Sequence, residues 1–255
     1  MKKILLSMLV VLMATGCTFT LNGKTEEEKK NDVVEEKENE KGQDISTGNE
    51  LVTIFEYRTH FVNDYFTGED LFGYFYTQDK ITLDTISNQA KLFLSIRSLY
   101  GSTWDKGVGN VIEVPKADVE NAFELLFGSK ATYQDEDLKG SACNFAGFKY
   151  DSSKQVYTQD AQGCGGTAVP KYETKVISAT KYSDKFEFTE KVAYVVAYDN
   201  GEEKVYKSKD DKTALGNGVG DNITAYYDKL DSYKWTFYYD NDKGHYYFYS
   251  VEKVK

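Results

Sequence analysis

The chain has 255 residues, with 41 acidic against 31 basic side chains and a net charge of −10 at neutral pH. Such a balance gives no electrostatic reason to bind a phosphate backbone, which points away from nucleic acid as a partner. All 21 tyrosines, both tryptophans and every phenylalanine except Phe19 fall after Glu50, so a polar front precedes an aromatic-rich domain.

In chain order, Lys2 and Lys3 make a short positive start. Ile4–Ala14 follows with eleven residues, one hydroxyl and no charge. A membrane span needs roughly 20 apolar residues, so this run is too short to cross. Its length and flanks suit the apolar region of a signal peptide. Small residues Ala14, Thr15 and Gly16 then precede Cys17. The stretch Ala14-Thr15-Gly16-Cys17 resembles the lipobox of bacterial lipoproteins, where a diacylglyceryl group joins the cysteine sulfur and the signal is cut just before it. The resemblance implies a signal peptide over 1–16, cleavage after Gly16 and a lipidated Cys17 as new N-terminus. It implies a chain held by lipid on the extracytoplasmic face of a bacterial cell membrane. Ala14 departs from the leucine commonest at its place in that family. Ordinary secretion with an incidental Cys17 is the alternative.

Leu21–Glu50 carries ten acids and five lysines, no aromatic residue and four large aliphatics. A segment this polar cannot bury enough apolar surface to offset the entropy of ordering. Residues 17–50 therefore read as the lipidated cysteine and a disordered tether, and 51–255 as one domain. About thirty residues of coil give an r.m.s. span of about 30 Å, which lifts the domain from a lipid surface.

Within the domain, the apolar spacing of Ile86, Ala90, Phe93 and Arg97, widened by Leu92, Ile96 and Leu99, predicts an amphipathic helix. Asp84 or Thr85 can cap it and Gly101 can end it. A second helix is predicted from Pro115, a residue suited to the first helical position, to Gly128, with Val119, Ala122, Phe123 and Leu126 on one face. Phe145, Phe148, Tyr150 and Tyr157 read as a short hairpin turning at 151–153. Later strands turn at Ser183–Asp184, at Asn200–Gly201 and at the "DNDKG" loop, 240–244. The expected class is α+β: two or three amphipathic helices packed on a curved antiparallel sheet. The order of elements looks like cystatin-like or NTF2-like domains, an analogy of fold that carries no function.

With Cys17 acylated, Cys143 and Cys164 remain as a pair. Outside the cytoplasm they can form a disulfide closing about 20 residues, worth about 3 kcal/mol on the chain-entropy account. Two free buried thiols are the alternative. With only His60 and His245 in the chain, the two make a poor zinc set, and no metal or cofactor is expected.

No catalytic constellation stands out. His60 and Asp64 would meet across one helical turn, and a surface histidine explains His60 as well. His245 follows a hairpin turn. No serine sits in a G-x-S-x-G elbow. The glycines at 216, 218 and 220 lack the strand–glycine–helix setting of a dinucleotide loop. The carboxylates of the 240–244 loop begin like a calcium loop, but Val251 stands where the twelfth-position glutamate belongs.

The aromatic excess is the feature with functional content. Exposed tyrosine and tryptophan rings bind sugars and peptides, and cross-strand pairs in a sheet use the same rings for packing. Tyr233, Trp235, Tyr238, Tyr247 and Tyr249 are the candidate ligand-contacting rings. The expectation is a non-enzymatic binding or accessory lipoprotein whose partner is an envelope glycan, a peptide or a surface protein. The alternatives are a glycan hydrolase using a carboxylate pair, or a purely structural surface protein.

Overall fold

A computed structural model describes residues 41–62, 73–99, 111–141, 145–160, 170–198, 200–218 and 223–254. They belong to one compact unit, Glu40–Lys255. The described residues form a mixed α/β arrangement of two antiparallel sheets and three α-helices. The helices are α1 (Asn49–Thr59), α2 (Asn88–Ser98) and α3 (Lys116–Phe127). The strands are β1 (Gln43–Asp44), β2 (Lys80–Thr82), β3 (Val111–Pro115), β4 (Leu138–Ser141), β5 (Phe145–Asp151) and β6 (Val156–Asp160). They continue with β7 (Lys171–Lys181), β8 (Lys185–Ala197), β9 (Glu203–Tyr206), β10 (Gly216–Asn217), β11 (Asp231–Asp240) and β12 (His245–Val254).

The large sheet runs β1-β7-β8-β11-β12-β2, with β9 also on β8 and β10 on β9. Its centre is three long hairpin-linked strands, because β-branched and aromatic residues alternate there on either side of tight turns. Phe237 faces Phe186 and Phe248 across the ladders, and Trp235 faces Phe188 and Val251. All six are buried, so these rings form the floor of the main core. Tyr57 of α1 and Phe61, two residues past its end, meet that floor, Phe61 lying 5.1 Å from Phe248 between ring centres. From α3, Phe123 and Phe127 join it.

β8 changes sides along its length. Phe186, Phe188, Glu190 and Val192 are buried on the main-core face. Ala193 and Val195, one step out of that alternation, are buried instead against Val205, Ile223 and Leu230. A short 3-10 helix, Ile223–Lys229, supplies that cover.

The sequence predicted one sheet, and the described residues form two. The second runs β3-β6-β5-β4 and has its own core of Val114, Leu138, Phe148 and Tyr157. Its edge strand β3 leads directly into α3, so helical spacing masked it. The helix α2 is buried on two sides, with Ala90 and Leu94 in the main core and Leu92, Phe93 and Ile96 in the second. That position explains its unusually broad apolar face. Its cap is Ser87, whose hydroxyl accepts from the Ala90 amide, rather than Asp84 or Thr85. Thr85 is occupied in a turn with Thr82. Pro115 stands one position earlier than predicted, as the N-cap of α3. Gly128 ends α3 with φ at 81°, and a Cβ there would press on the Tyr247 ring.

The boundary expected at 50/51 shifts. Gln43 and Asp44 pair with Lys181 and Thr180, the Ile45 amide donates to Ala179, and Ile45 is buried. The last residues of the supposed tether are thus part of the sheet and its core. One well-placed isoleucine and an edge ladder suffice to order a segment whose average composition is polar. Gly16, Cys17, Cys143 and Cys164 lie outside the described residues. So do Asp64, Gly101 and positions 219–222.

Candidate functional site

Strand alternation sorts the five candidate rings. Odd-numbered Tyr233 and Trp235 point into the main core, where Trp235 is 0% and Tyr233 5% exposed. The Trp235 indole N–H donates to Glu190 Oε1 at 2.7 Å, and the Tyr233 hydroxyl donates to the Tyr76 carbonyl at 2.7 Å. Trp235 has no ring face to offer a ligand, and Tyr233 almost none, so neither is the contact residue expected from the sequence. Tyr238 lies opposite Tyr247 and Lys185 in the ladders, on the other side of the sheet. Tyr249, 44% exposed, is the extra residue of a β-bulge between the Phe237–Phe248 and Thr236–Ser250 pairs.

On that outer side the rings form a stripe. Tyr238 and Tyr249 meet edge to face with centres 4.7 Å apart. Lys185 Nζ sits 4.7 Å from the centre of the Tyr182 ring and 6.0 Å from that of Tyr238. The stripe therefore reads Tyr182, Lys185, Tyr238, Tyr249 across the β7–β8 turn, β11 and β12. Tyr247 is half-buried at its end, against Gly128. The charges beside the rings are internally matched. Lys185 pairs with Glu187 at 2.7 Å, and Glu252 takes both Lys234 at 2.8 Å and Lys80 at 3.2 Å. Glu187 lies opposite Thr236 and Lys234 opposite Glu252, so this is one surface.

A buried polar network, which the sequence did not signal, lies beneath the opposite side of the sheet. Arg58 of α1 reaches Glu190 of β8, with Nε 3.3 Å from the carboxylate. Its Nη2 donates to the Tyr76 hydroxyl at 2.7 Å and to the Thr174 hydroxyl at 2.8 Å. The Tyr76 hydroxyl donates on to Glu190 Oε1 at 2.7 Å. Burial disfavours the guanidinium charge, and the Glu190 carboxylate and Tyr76 more than offset this, so Arg58 holds its proton more tightly than usual. Burial pushes the Tyr76 phenol well above its ordinary range. The network locks α1 onto the sheet and presents no reacting atom to solvent.

A second polar hub ties α3 to the small sheet. Asp135 accepts from Tyr133 and Tyr157, each at 2.8 Å, and pairs with Lys116. Burial, together with the neighbouring phenol and carboxylate, raises Tyr133 far above its usual range. These phenols stay protonated and serve as struts.

The histidines are apart. His60 is exposed at the end of α1, and the ring of His245 meets the Glu124 carbonyl at 3.3 Å. Gly216–Asn217 forms β10 in an antiparallel ladder with Val205 and Lys204. The 240–244 loop closes the β11–β12 hairpin. Asp240 accepts from the amide and hydroxyl of Ser129 at 3.1 and 2.8 Å, and from the amides of Asp242 and Lys243. Its two oxygens are thus committed to the turn and to the end of α3. Among the described residues no group of three histidine, cysteine, aspartate or glutamate side chains could hold a metal ion. No helix among them is long and apolar enough to cross a membrane.

The chain matches no family model, no curated protein and no solved structure. Functional inference therefore rests on the chemistry of these surfaces.

Proposed function

We propose that the chain is a lipid-anchored, extracytoplasmic binding protein of a bacterial envelope, without catalytic activity, and that its outer tyrosine stripe contacts a neutral glycan. The stripe is the observation that carries this reading. Rigid phenol rings offer amphipathic area at low entropic cost, suited to the C–H faces and hydroxyls of a sugar. The nearby lysines and glutamates neutralise one another, so the surface favours no charged partner. An outward-facing stripe suits a long polymer better than a small molecule.

Retention on insoluble cell-wall glycan tests it. Tyr238→Ala with Tyr249→Ala should weaken the affinity about tenfold, the effect of losing two ring contacts of about 0.7 kcal/mol each. Unchanged retention by a folded double variant would remove the stripe from the reading. For the anchor, a fatty-acid probe should label the wild type and not Cys17→Ala; equal labelling sinks it.

The disulfide belongs to the same extracytoplasmic reading. The β5–β6 register pairs Lys149 with Thr158 and Asp151 with Val156. Cys143 precedes β5 and Cys164 follows β6 in the chain, and a bond between them would close about 20 residues. Thiol counting on the denatured, unreduced chain should find neither free. In fold terms, helices laid on the aromatic face of the large sheet support the analogy with cystatin-like or NTF2-like domains, while the second sheet departs from it.

A further inference from the structure

The tyrosine stripe ends where the chain enters the fold. Residues 41–46 lie along the end of β7, with Gln43 opposite Lys181 and Asp44 opposite Thr180. Gly42, one residue earlier, crosses against Tyr182, the first ring of the stripe. A Cβ on Gly42 would stand 2.8 Å from Cε1 of that ring and would also strike the Thr180 methyl, so this close approach suits glycine. The turn holds the backbone of Tyr182 independently. Its amide donates to the Lys185 carbonyl at 2.8 Å, and Lys185 Nζ sits 4.7 Å from the ring centre.

Few contacts hold residues 41–46 in place. Ile45 is the one large apolar side chain among them, and it is buried. Its amide donates to the Ala179 carbonyl at 3.0 Å, and the Ala179 amide donates to the Ser46 hydroxyl at 2.9 Å. The ladder itself is two residues long. The exposed Lys181–Glu50 ion pair just beyond adds little. A segment with one buried side chain and a short edge ladder opens at a free energy well below that of global unfolding. The turn at Ser183–Asp184 closes without it, because β7 and β8 pair with each other from Lys181 and Phe186 inward. Release therefore uncovers Tyr182 and leaves the rest of the stripe in place.

Resting on the anchored, glycan-binding reading, we propose that residues 41–46 form a strap over one end of the tyrosine stripe, and that its release frees the Tyr182 ring for the glycan. On that reading the lipid is attached at Cys17, so a pull between the anchor and a bound polymer enters the fold through the strap. Releasing six residues adds up to about 20 Å of reach. The stripe then gains a ring contact when the polymer is under load.

Nitration of the full chain in detergent with tetranitromethane, mapped residue by residue by mass spectrometry, tests the contact. Ile45→Ala with Ser46→Ala releases the strap, which cleavage within residues 41–46 verifies, and unchanged circular dichroism verifies that the sheet is folded. Tyr182 should then nitrate several-fold faster, and Tyr249, already exposed, at an unchanged rate. Gly42→Val gives a second route, driving strap and ring apart with Ile45 untouched, and it should raise the Tyr182 rate as well. Retention on insoluble cell-wall glycan should rise several-fold in the released variant and lose that gain when Tyr182→Ala is added. An unchanged Tyr182 rate in the released variant, or in Gly42→Val, overturns the strap. So does a freed Tyr182 in a variant retained no better than a wild type that itself binds. Tyr182 freed with no form retained on glycan supports the strap and sinks the glycan reading alone.

Discussion

Glu190 is the residue on which the main core turns. It is fully buried, and three donors converge on its carboxylate: the Arg58 guanidinium, the Tyr76 hydroxyl and the Trp235 indole. Removing one partner of a buried pair leaves an uncompensated charge, which costs about 3–5 kcal/mol. Glu190→Ala should lower the unfolding free energy in urea by that amount, whereas Arg58→Met with Glu190→Leu should cost clearly less. A Glu190→Ala variant within about 1 kcal/mol of wild type would contradict the role assigned here. Asp240 gives a pH signature. The amide and hydroxyl of Ser129, then the amides of Lys243 and Asp242, hold its carboxyl down to about 2 from an ordinary value of 3.8. A folded-state pKa below the unfolded one means stability that is fully present above the ordinary carboxylate range and lost as pH falls toward 2. Thermal melts of wild type and Asp240→Asn should therefore differ most above pH 5 and converge between about pH 4 and pH 2. A gap that is constant with pH rules the mechanism out.

At the scale of elements, β1 and α2 behave differently from their sequence-level expectation for one reason: each is defined by what it packs against. β1 is two residues long and orders only because β7 offers a free edge and the core admits Ile45. Ile45→Ala should cost about 2–4 kcal/mol, in the range of buried large-to-small changes, and should expose residues 41–46 to proteolysis. Protection equal to wild type would show that the segment is held by the ladder alone. For α2, Ser87→Ala removes the single side-chain cap and should cost about 1 kcal/mol. A Thr85→Ala change should leave helix stability nearly untouched, since Thr85 serves the preceding turn.

Across the whole molecule, two aromatic cores share α2 and α3. The helix α2 contributes Ala90 and Leu94 to one and Leu92, Phe93 and Ile96 to the other, and α3 contributes Phe123 to one and Val119 to the other. Neither sheet can lose its helices without stripping the other, so the described unit should unfold in one step. Urea transitions followed by tyrosine fluorescence and by far-UV circular dichroism should coincide. Separated midpoints would show that the sheets are independent. The large sheet presents a tyrosine stripe on its outer face, and its inner face is covered by Arg58 and Tyr57 of α1 and by Phe61 just after it.

The amino-acid sequence by itself determined the local events of this protein. Turns at Ser183–Asp184 and Asn200–Gly201, the stop at Gly128 and the hairpin closing at Asp240 follow from backbone preferences that act over a few residues, and all are present. It also showed the domain to be rich in aromatic residues. Only the tertiary structure decided which tyrosines face out. A period-two pattern says that Trp235 and Tyr238 lie on opposite sides of a strand, but not which side the helices cover, because that depends on α1 and α3 arriving from distant sequence. The same holds for the Arg58–Glu190 pair, 132 positions apart. Charges become partners through the fold, and nothing in their local spacing announces it.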